Sequence, residues 1–121
     1  MKRRIVWGLS AGLVLILVIA GCRFFGNLDP IARFTVDYTH GTSPLTVTFD
    51  ATDSSDPDGV IAEFFWDFGD GQSASATLKT ITHIYTNVQS DSKVFTAILT
   101  VIDNLGAEDS ACKNITVDPA P

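Results

Sequence analysis

The stretch from Asp53 to Gly71, Asp-Ser-Ser-Asp-Pro-Asp-Gly-Val-Ile-Ala-Glu-Phe-Phe-Trp-Asp-Phe-Gly-Asp-Gly, constrains the fold more than any other part of the chain. It reads as turn, strand, turn. In Asp56-Pro57-Asp58-Gly59 the proline presets φ for the turn and the glycine lets the chain reverse at low steric cost. Val60, Ala62, Phe64, Trp66 and Phe68 then alternate with Ile61, Glu63, Phe65 and Asp67, the period-2 pattern of a strand. The first set is wholly apolar, which assigns it to the core with Trp66 as its largest member. Gly69-Asp70-Gly71 ends the strand, and its Asp-Gly pair marks a tight hairpin turn.

Similar short runs follow one another from Asp29 onward, separated by turn residues at the spacing of an all-β sandwich of about seven strands. Ala32, Phe34 and Val36 alternate with polar neighbours in a first strand. His40 to Pro44 reads as a loop. Leu45, Val47, Phe49 and Ala51 form the apolar face of a second strand. After the Trp66 strand, Gln72 to Ala76 is a connection or an edge, Leu78 to Tyr85 a further strand, and Asn87 to Lys93 a polar loop. Val94 to Asp103 is a long strand, Asn104-Leu105-Gly106 turns the chain, and Ile115 and Val117 close the last strand. Trp66, Phe49, Leu99 and Val101 are the expected centre of the core.

The amino end has a different composition. Lys2, Arg3 and Arg4 precede an apolar run from Ile5 to Ala20, which ends in Ile19-Ala20-Gly21-Cys22. A basic start, a short apolar run and small residues at a cleavage point describe a secretory signal over residues 1–21. The alternative is an uncleaved helix, but the run is shorter than the roughly 20 residues a bilayer requires and Gly8, Ser10 and Gly12 dilute it. The apolar-small-small-Cys ending resembles a bacterial lipoprotein signal, which implies cleavage before Cys22 and acylation of its thiol. The expected localisation is therefore the cell envelope, extracytoplasmic, with the membrane contacted through lipid. Residues 22–28 are the lipidated Cys22 and a short linker, Arg23 to Leu28, which reaches only about 20 Å when extended, so the folded part sits near the membrane. Phe24 and Phe25 either dip into the interface or pack under the first strand.

Charge narrows the partners. Of eight basic residues three leave with such a leader, and the remaining five face fourteen acidic ones, a net charge of −9. Nucleic acid and anionic headgroups are disfavoured and divalent cations favoured. With Cys22 acylated, Cys112 has no intramolecular partner and reads as a small half-buried strand residue.

Several segments together resemble the PKD domain, an immunoglobulin-like module. They are Pro30-Ile31-Ala32-Arg33-Phe34, Gly41 with Ser43-Pro44-Leu45, Val47-Thr48-Phe49-Asp50-Ala51, Asp56-Pro57-Asp58-Gly59, Trp66-Asp67-Phe68-Gly69-Asp70-Gly71, His83-Ile84-Tyr85, Leu99-Thr100-Val101-Ile102-Asp103 and Ile115-Thr116-Val117. The resemblance covers residues 29–118, leaving 119–121 as a tail. It implies an immunoglobulin-like β-sandwich and a role in adhesion or attachment to a protein or polysaccharide. One departure stands out: the loop after His83-Ile84-Tyr85 is longer than the family's usual one and has no glycine, with Phe95 in the aromatic place.

No enzyme is read from the sequence. A nucleophile, base and orienting group must converge, and no hydrolase motif surrounds any serine. His83 shares a strand face with Ile81 and Tyr85, the setting of a hydrogen-bonded structural histidine. No cofactor is required, but Ca²⁺ is a candidate. Asp53, Asp56 and Asp58 lie in one loop, Asp103 ends the strand expected to meet it, and hard oxygen ligands on a loop suit this ion. The competing reading is that each carboxylate caps its own turn. Asp67 and Asp70 lie at the other end of the strand and are expected to hold the hairpin. Finally, if Phe95, Ala97, Leu99 and Val101 face inward, then Val94, Ile98 and Ile102 face out beside Ile61 and Phe65. Such an apolar stripe marks a contact surface for a partner or for self-association, unless a bulge shifts the parity or the Asn87–Lys93 loop covers it. The chain is then either a binding module or a structural spacer and assembly subunit.

Overall fold

The structure is a computed structural model that describes residues 26–121. The leader, Cys22 and the Phe24-Phe25 pair lie outside the described residues. Among the described residues there are eight strands and no helix. They are β1 (Thr35–Val36), β2 (His40–Thr42), β3 (Leu45–Asp50), β4 (Ile61–Asp67), β5 (Ser73–Ala76), β6 (Thr80–Tyr85), β7 (Lys93–Asp103) and β8 (Glu108–Asp118).

The strands form two sheets, in the orders β1-β3-β6 and β2-β8-β7-β4-β5. Alternation explains why the sheets stack: Val47 and Phe49 on β3, Phe64 and Trp66 on β4, and Phe95, Ala97, Leu99 and Val101 on β7 are all buried. Each sheet hides one apolar face against the other. At the centre Trp66 is 0 % exposed, meets the Phe34 ring edge-on at 5.3 Å and lies 5.4 Å from Phe49. Phe49 in turn lies 5.4 Å from Phe68. The expected core of Trp66, Phe49, Leu99 and Val101 is buried as a unit.

The structure departs from the sequence reading at several points. The register between β4 and β7 shifts between Ile61 and Glu63. One extra residue in a strand reverses the side on which every preceding side chain falls. Phe64, Trp66 and Phe68 are inward as expected, but Val60 is 62 % exposed, Ala62 is also exposed, and Ile61 packs half-buried against the core. Ile61 therefore does not belong to the outer stripe.

The residues expected as a loop, His40 to Thr42, form a short strand parallel to the end of β8. The last strand spans eleven residues, starting at Glu108. Its first half is polar, and it is a strand because it pairs along β7 from Ile102–Glu108 to Lys93–Val117. Cys112, expected to be half-buried, is an exposed free cysteine.

The glycine-free loop after β6 is organised by a buried side chain. Asn87 Nδ2 donates to the carbonyls of Asp91 and Val117, both at 2.8 Å, and its Oδ1 accepts from Gln89 N. Side-chain bonds of this kind stand in for the turn that a glycine would otherwise make.

Candidate functional site

Two regions carry the residues singled out in the sequence. The first is the aspartate-rich end. The turn after β7 brings Asn104 N to the carbonyl of Val60 at 3.1 Å, so the β7–β8 turn meets the loop before β4. Asp58 Oδ2 accepts from Leu28 N at 2.9 Å. Asp103 is buried and accepts from Asn27 Nδ2 at 2.6 Å and from the backbone N–H groups of Leu105 and Ala107. Those bonds, the Asn27 amide first, hold the Asp103 carboxyl below its ordinary range against the opposing effect of burial.

Asp56 is the odd member. Its Oδ2 is buried with no protein hydrogen-bond partner. Burial, with the charges of Asp58 and Asp103 beside it, pushes its carboxyl up. A Cβ built on Gly59 would lie 2.8 Å from Asn104 Oδ1 and 3.0 Å from Asp56 Oδ2, so glycine lets these two side-chain oxygens sit where they are without displacement. Asp53 stands apart, lining a groove with Arg33, Phe34, Cys112 and Lys113.

The donor set of Asp56, Asp58, Asp103, Asn27 and Asn104 is all oxygen, the chemistry Ca²⁺ takes. As arranged here, no three carboxylates among the described residues converge as a metal-binding group. The oxygens of Asp58 and Asp103 bond instead to Leu28, Asn27 and the β7–β8 turn.

The second region is the outer face of the five-stranded sheet. Phe65 is opposite Thr100 on one side and Ser75 on the other. Asp67 is opposite Ile98, which is opposite Cys112, while Glu63, Ile102 and Glu108 form a third row. Phe65 therefore sits diagonally between Ile98 and Ile102, within reach of both. Phe65 is 38 % exposed, Ile98 36 % and Val94, further along β7, 55 %; Ile102 is half-buried. Of the expected stripe, all members but Ile61 share this face.

A family model of the PKD domain matches residues 27–118. The chain belongs to the PKD domain family. It is 35 % identical over 92 residues to the pre-pro-metalloprotease PrtV of Vibrio cholerae, covering 76 % of this chain but 9 % of that protein. It is 37 % identical over 71 residues to collagenase ColA of Clostridium perfringens, covering 59 % of this chain and 6 % of that one. The crystal structure of the PKD1 domain of the Vibrio cholerae metalloprotease superposes with a TM-score of 0.61 at 34 % identity, covering 75 % of this chain and 99 % of that domain. A structure solved to explain the promiscuous specificity of carbohydrate-binding modules of the beta-sandwich superfamily gives 0.72 at 38 % identity, over 78 % of this chain and 36 % of that one. This chain thus spans under a tenth of the two proteases, and what it shares with PrtV is the PKD module. The PKD domain itself is a non-catalytic module.

Within this PKD domain the Trp-Asp-Phe-Gly-Asp-Gly hairpin is stapled to the opposite sheet. Asp67 Oδ1 accepts from Gly69 N, and Asp70 Oδ1 from Gln72 N, so both carboxylates hold the turn as expected. Asp70 Oδ2 also lies 2.7 Å from His83 Nε2 on β6. The His83 ring stacks on Phe68 at 3.9 Å and meets Tyr85 edge-on at 4.8 Å. The Tyr85 hydroxyl donates to the Phe68 carbonyl at 2.8 Å, and burial, its largest cause, pushes the phenol well above its ordinary range, keeping it a neutral donor. His83 is thus the structural histidine expected from its strand position.

Sequence reasoning missed Ser54. Its hydroxyl bonds both the N–H and the carbonyl of Arg33, tying the aspartate loop to the segment before β1. A buried serine in a polar loop leaves no periodic signal to find it by.

Proposed function

We propose that this PKD domain is a non-catalytic binding module, tethered by lipid on Cys22 at the outside of a bacterial cell envelope, that docks a protein or polysaccharide on the outer face of its five-stranded sheet. The observation that carries this reading is the uncovered apolar group Phe65, Ile98 and Ile102 on that face, with Val94 at its far end. Exposed clusters of this kind on an otherwise polar sheet mark contact sites. Occurrence of the same module within proteases, and its likeness to a structure concerned with carbohydrate-binding modules, support a domain that works through attachment.

The test compares the full-length chain with a Phe65→Ser, Ile98→Ser variant, both in nonionic detergent, for retention on envelope polysaccharide and on envelope protein. Retention of the parent and its loss in the variant is the expected result. Equal retention would remove the surface from consideration. Variant-sensitive self-association without retention would favour the spacer or assembly-subunit reading.

A second reading, calcium stabilisation, has one observation in its favour: the buried, orphaned Oδ2 of Asp56 beside Asp58, Asp103 and Asn104. The residues that would hold the ion are Asp56, Asp58 and Asp103 with the amide oxygens of Asn27 and Asn104, and Asp53 has no part. Its electrostatics predict two opposing pH effects. The raised Asp56 carboxyl contributes stability below its unfolded pKa that is lost as pH rises through its folded one. The lowered Asp103 carboxyl contributes stability above its unfolded pKa that is lost as pH falls through its folded one. Calcium is expected to raise the melting temperature at neutral pH. Asp56→Asn removes the unpaired charge and is expected to raise the melting temperature without calcium while abolishing the calcium increment. An increment that persists in Asp56→Asn would dispose of this site.

A further inference from the structure

The outer face of the five-stranded sheet has a second property besides its apolar centre. Alternation along β4, β5, β7 and β8 assigns Glu63, Phe65, Asp67, Ser73, Ser75, Thr96, Thr100, Glu108, Ser110 and Asp118 to the same side as Ile98 and Ile102. Four of these are carboxylic acids. None of the described lysines or arginines shares the face. Lys93 and Lys113 have the parity of buried residues and lie over the rings of Phe95 and Phe34, at 5.1 Å and 5.6 Å. Arg33 lies on the segment before β1, and Lys79 in the bend leading to β6. The cationic candidate on the face is His40, 2.8 Å from Asp118 at its rim.

The acids are placed around the apolar group rather than at random. Ile102 lies between Glu63 and Glu108, Ile98 is opposite Asp67, and Phe65 is diagonal to both isoleucines. The hydroxyls between them are paired within the face, Ser75 donating to Glu63 and Thr100 bonded to Ser110. A sheet surface with an aromatic-aliphatic centre and carboxylates at its corners complements a partner of opposite charge with an apolar anchor.

We infer that the partner docked on this face is a basic polypeptide segment, with lysine or arginine side chains meeting Glu63, Asp67 and Glu108 and an apolar side chain seated among Phe65, Ile98 and Ile102. The inference rests on the binding-module reading and gives it a partner chemistry. A peptide fits better than a glycan. Phe65 is only 38 % exposed and has isoleucines on its diagonals, so the face offers no open aromatic plane for a sugar ring. A second copy of the same face is disfavoured because its carboxylates would oppose like charges. Strand spacing suits the segment. An extended peptide projects alternate side chains every 6–7 Å or so on one side, matching the two-residue repeat from Ile98 to Thr100 to Ile102.

The test uses the full-length chain in nonionic detergent and three probes: an alternating Lys-Leu octapeptide, a Lys-Ser octapeptide of equal charge, and a neutral β-linked hexasaccharide. Titrations are followed by calorimetry and by backbone chemical-shift mapping. The Lys-Leu peptide is expected to bind saturably, to perturb amides around Phe65, Ile98 and Ile102, and to weaken with added salt. The Lys-Ser peptide is expected to bind about tenfold more weakly, as is the Lys-Leu peptide to Phe65→Ser. A Glu63→Gln, Asp67→Asn, Glu108→Gln variant keeps the acceptor oxygens and removes the charge, and about a tenfold loss is expected there too. An unchanged melting temperature in this variant attributes the loss to charge rather than unfolding.

Shifts elsewhere on the domain, equal binding by the amide variant, or no Lys-Leu binding would overturn the inference. So would a saturable hexasaccharide complex on this face that ignores salt. The binding-module reading fails separately: it is lost only if retention on envelope material is indifferent to Phe65→Ser, Ile98→Ser. Retention that depends on Phe65 but not on the carboxylates rejects the basic partner and leaves the module.

Discussion

Trp66→Ala is expected to cost about 3–5 kcal/mol and to remove most of the cooperative thermal transition. Trp66 is fully buried, and its ring is bounded by Phe49 on β3 of the opposite sheet and by Phe34 on the segment leading into β1. Truncation to a methyl group opens a cavity between two sheets that are each tied by backbone ladders and so cannot simply close on it. With a small domain typically stable by about 5–15 kcal/mol, a loss of this size is a large part of the total. Trp66→Phe is the informative companion. The indole Nε1 has no protein acceptor, so phenylalanine gives up ring area without breaking a protein hydrogen bond. Its cost is expected to be well under that of alanine. Chemical denaturation of the three proteins checks the order, and a Trp66→Ala variant that melts within a few degrees of the parent would contradict the account of the core.

Gly69→Ala is expected to have the next largest effect, on the order of 2–5 kcal/mol from strain and overpacking together. Gly69 has a φ of 81°, and a Cβ there would lie 2.3 Å from the carbonyl oxygen of Thr96 and 2.9 Å from its backbone carbon and nitrogen. These are backbone atoms of β7, the central strand beside β4, and they cannot swing away as a side chain would. Gly71, two residues on, has a φ of 90° but open space where the Cβ would go. Gly71→Ala therefore meets only the conformational strain, roughly 1 kcal/mol. The pair separates two roles that look identical in the sequence. Equal melting temperatures for the two variants would show that close approach to Thr96 is not what Gly69 is for.

Much of the domain was legible because its strands are half-buried. Alternation along Leu45–Asp50, Phe64–Phe68 and Phe95–Val101 names the core side chains without reference to any neighbour, since a strand with one wet and one dry face must alternate. The hairpin at Gly69-Asp70-Gly71 was legible for the same local reason, as the turn demands particular backbone angles. The polar first half of β8 was not, because Glu108 to Asn114 is exposed apart from half-buried Ala111, so no apolar face marks it and only its pairing with β7 makes it a strand. Nor was the inward turn of Ile61: the bulge that produces it is a property of how β4 and β7 pair.

The candidate sites divide in the same way. Local residue types were enough to mark the aspartates as an oxygen-rich loop and Phe65, Ile98 and Ile102 as an apolar stripe. They could not tell that Asp53 and Asp56 line different grooves, or that Asp103 would bond to Asn27 across 76 positions of sequence. They also could not show that the stripe is framed by Glu63 and Asp67 from β4 and by Glu108 from β8, strands that meet it from opposite sides of β7.

The sequence alone determined that this chain forms an all-β sandwich around Trp66, because side-chain period and turn chemistry are set within a few residues and the hydrophobic effect then leaves one way to bury the apolar set. Tertiary structure alone decided the register: which carboxylates meet, which are orphaned, which isoleucine faces water, and which glycine touches another strand. Those outcomes depend on cross-strand neighbours, and a single added residue in one strand is enough to exchange the inside of a sheet for its outside.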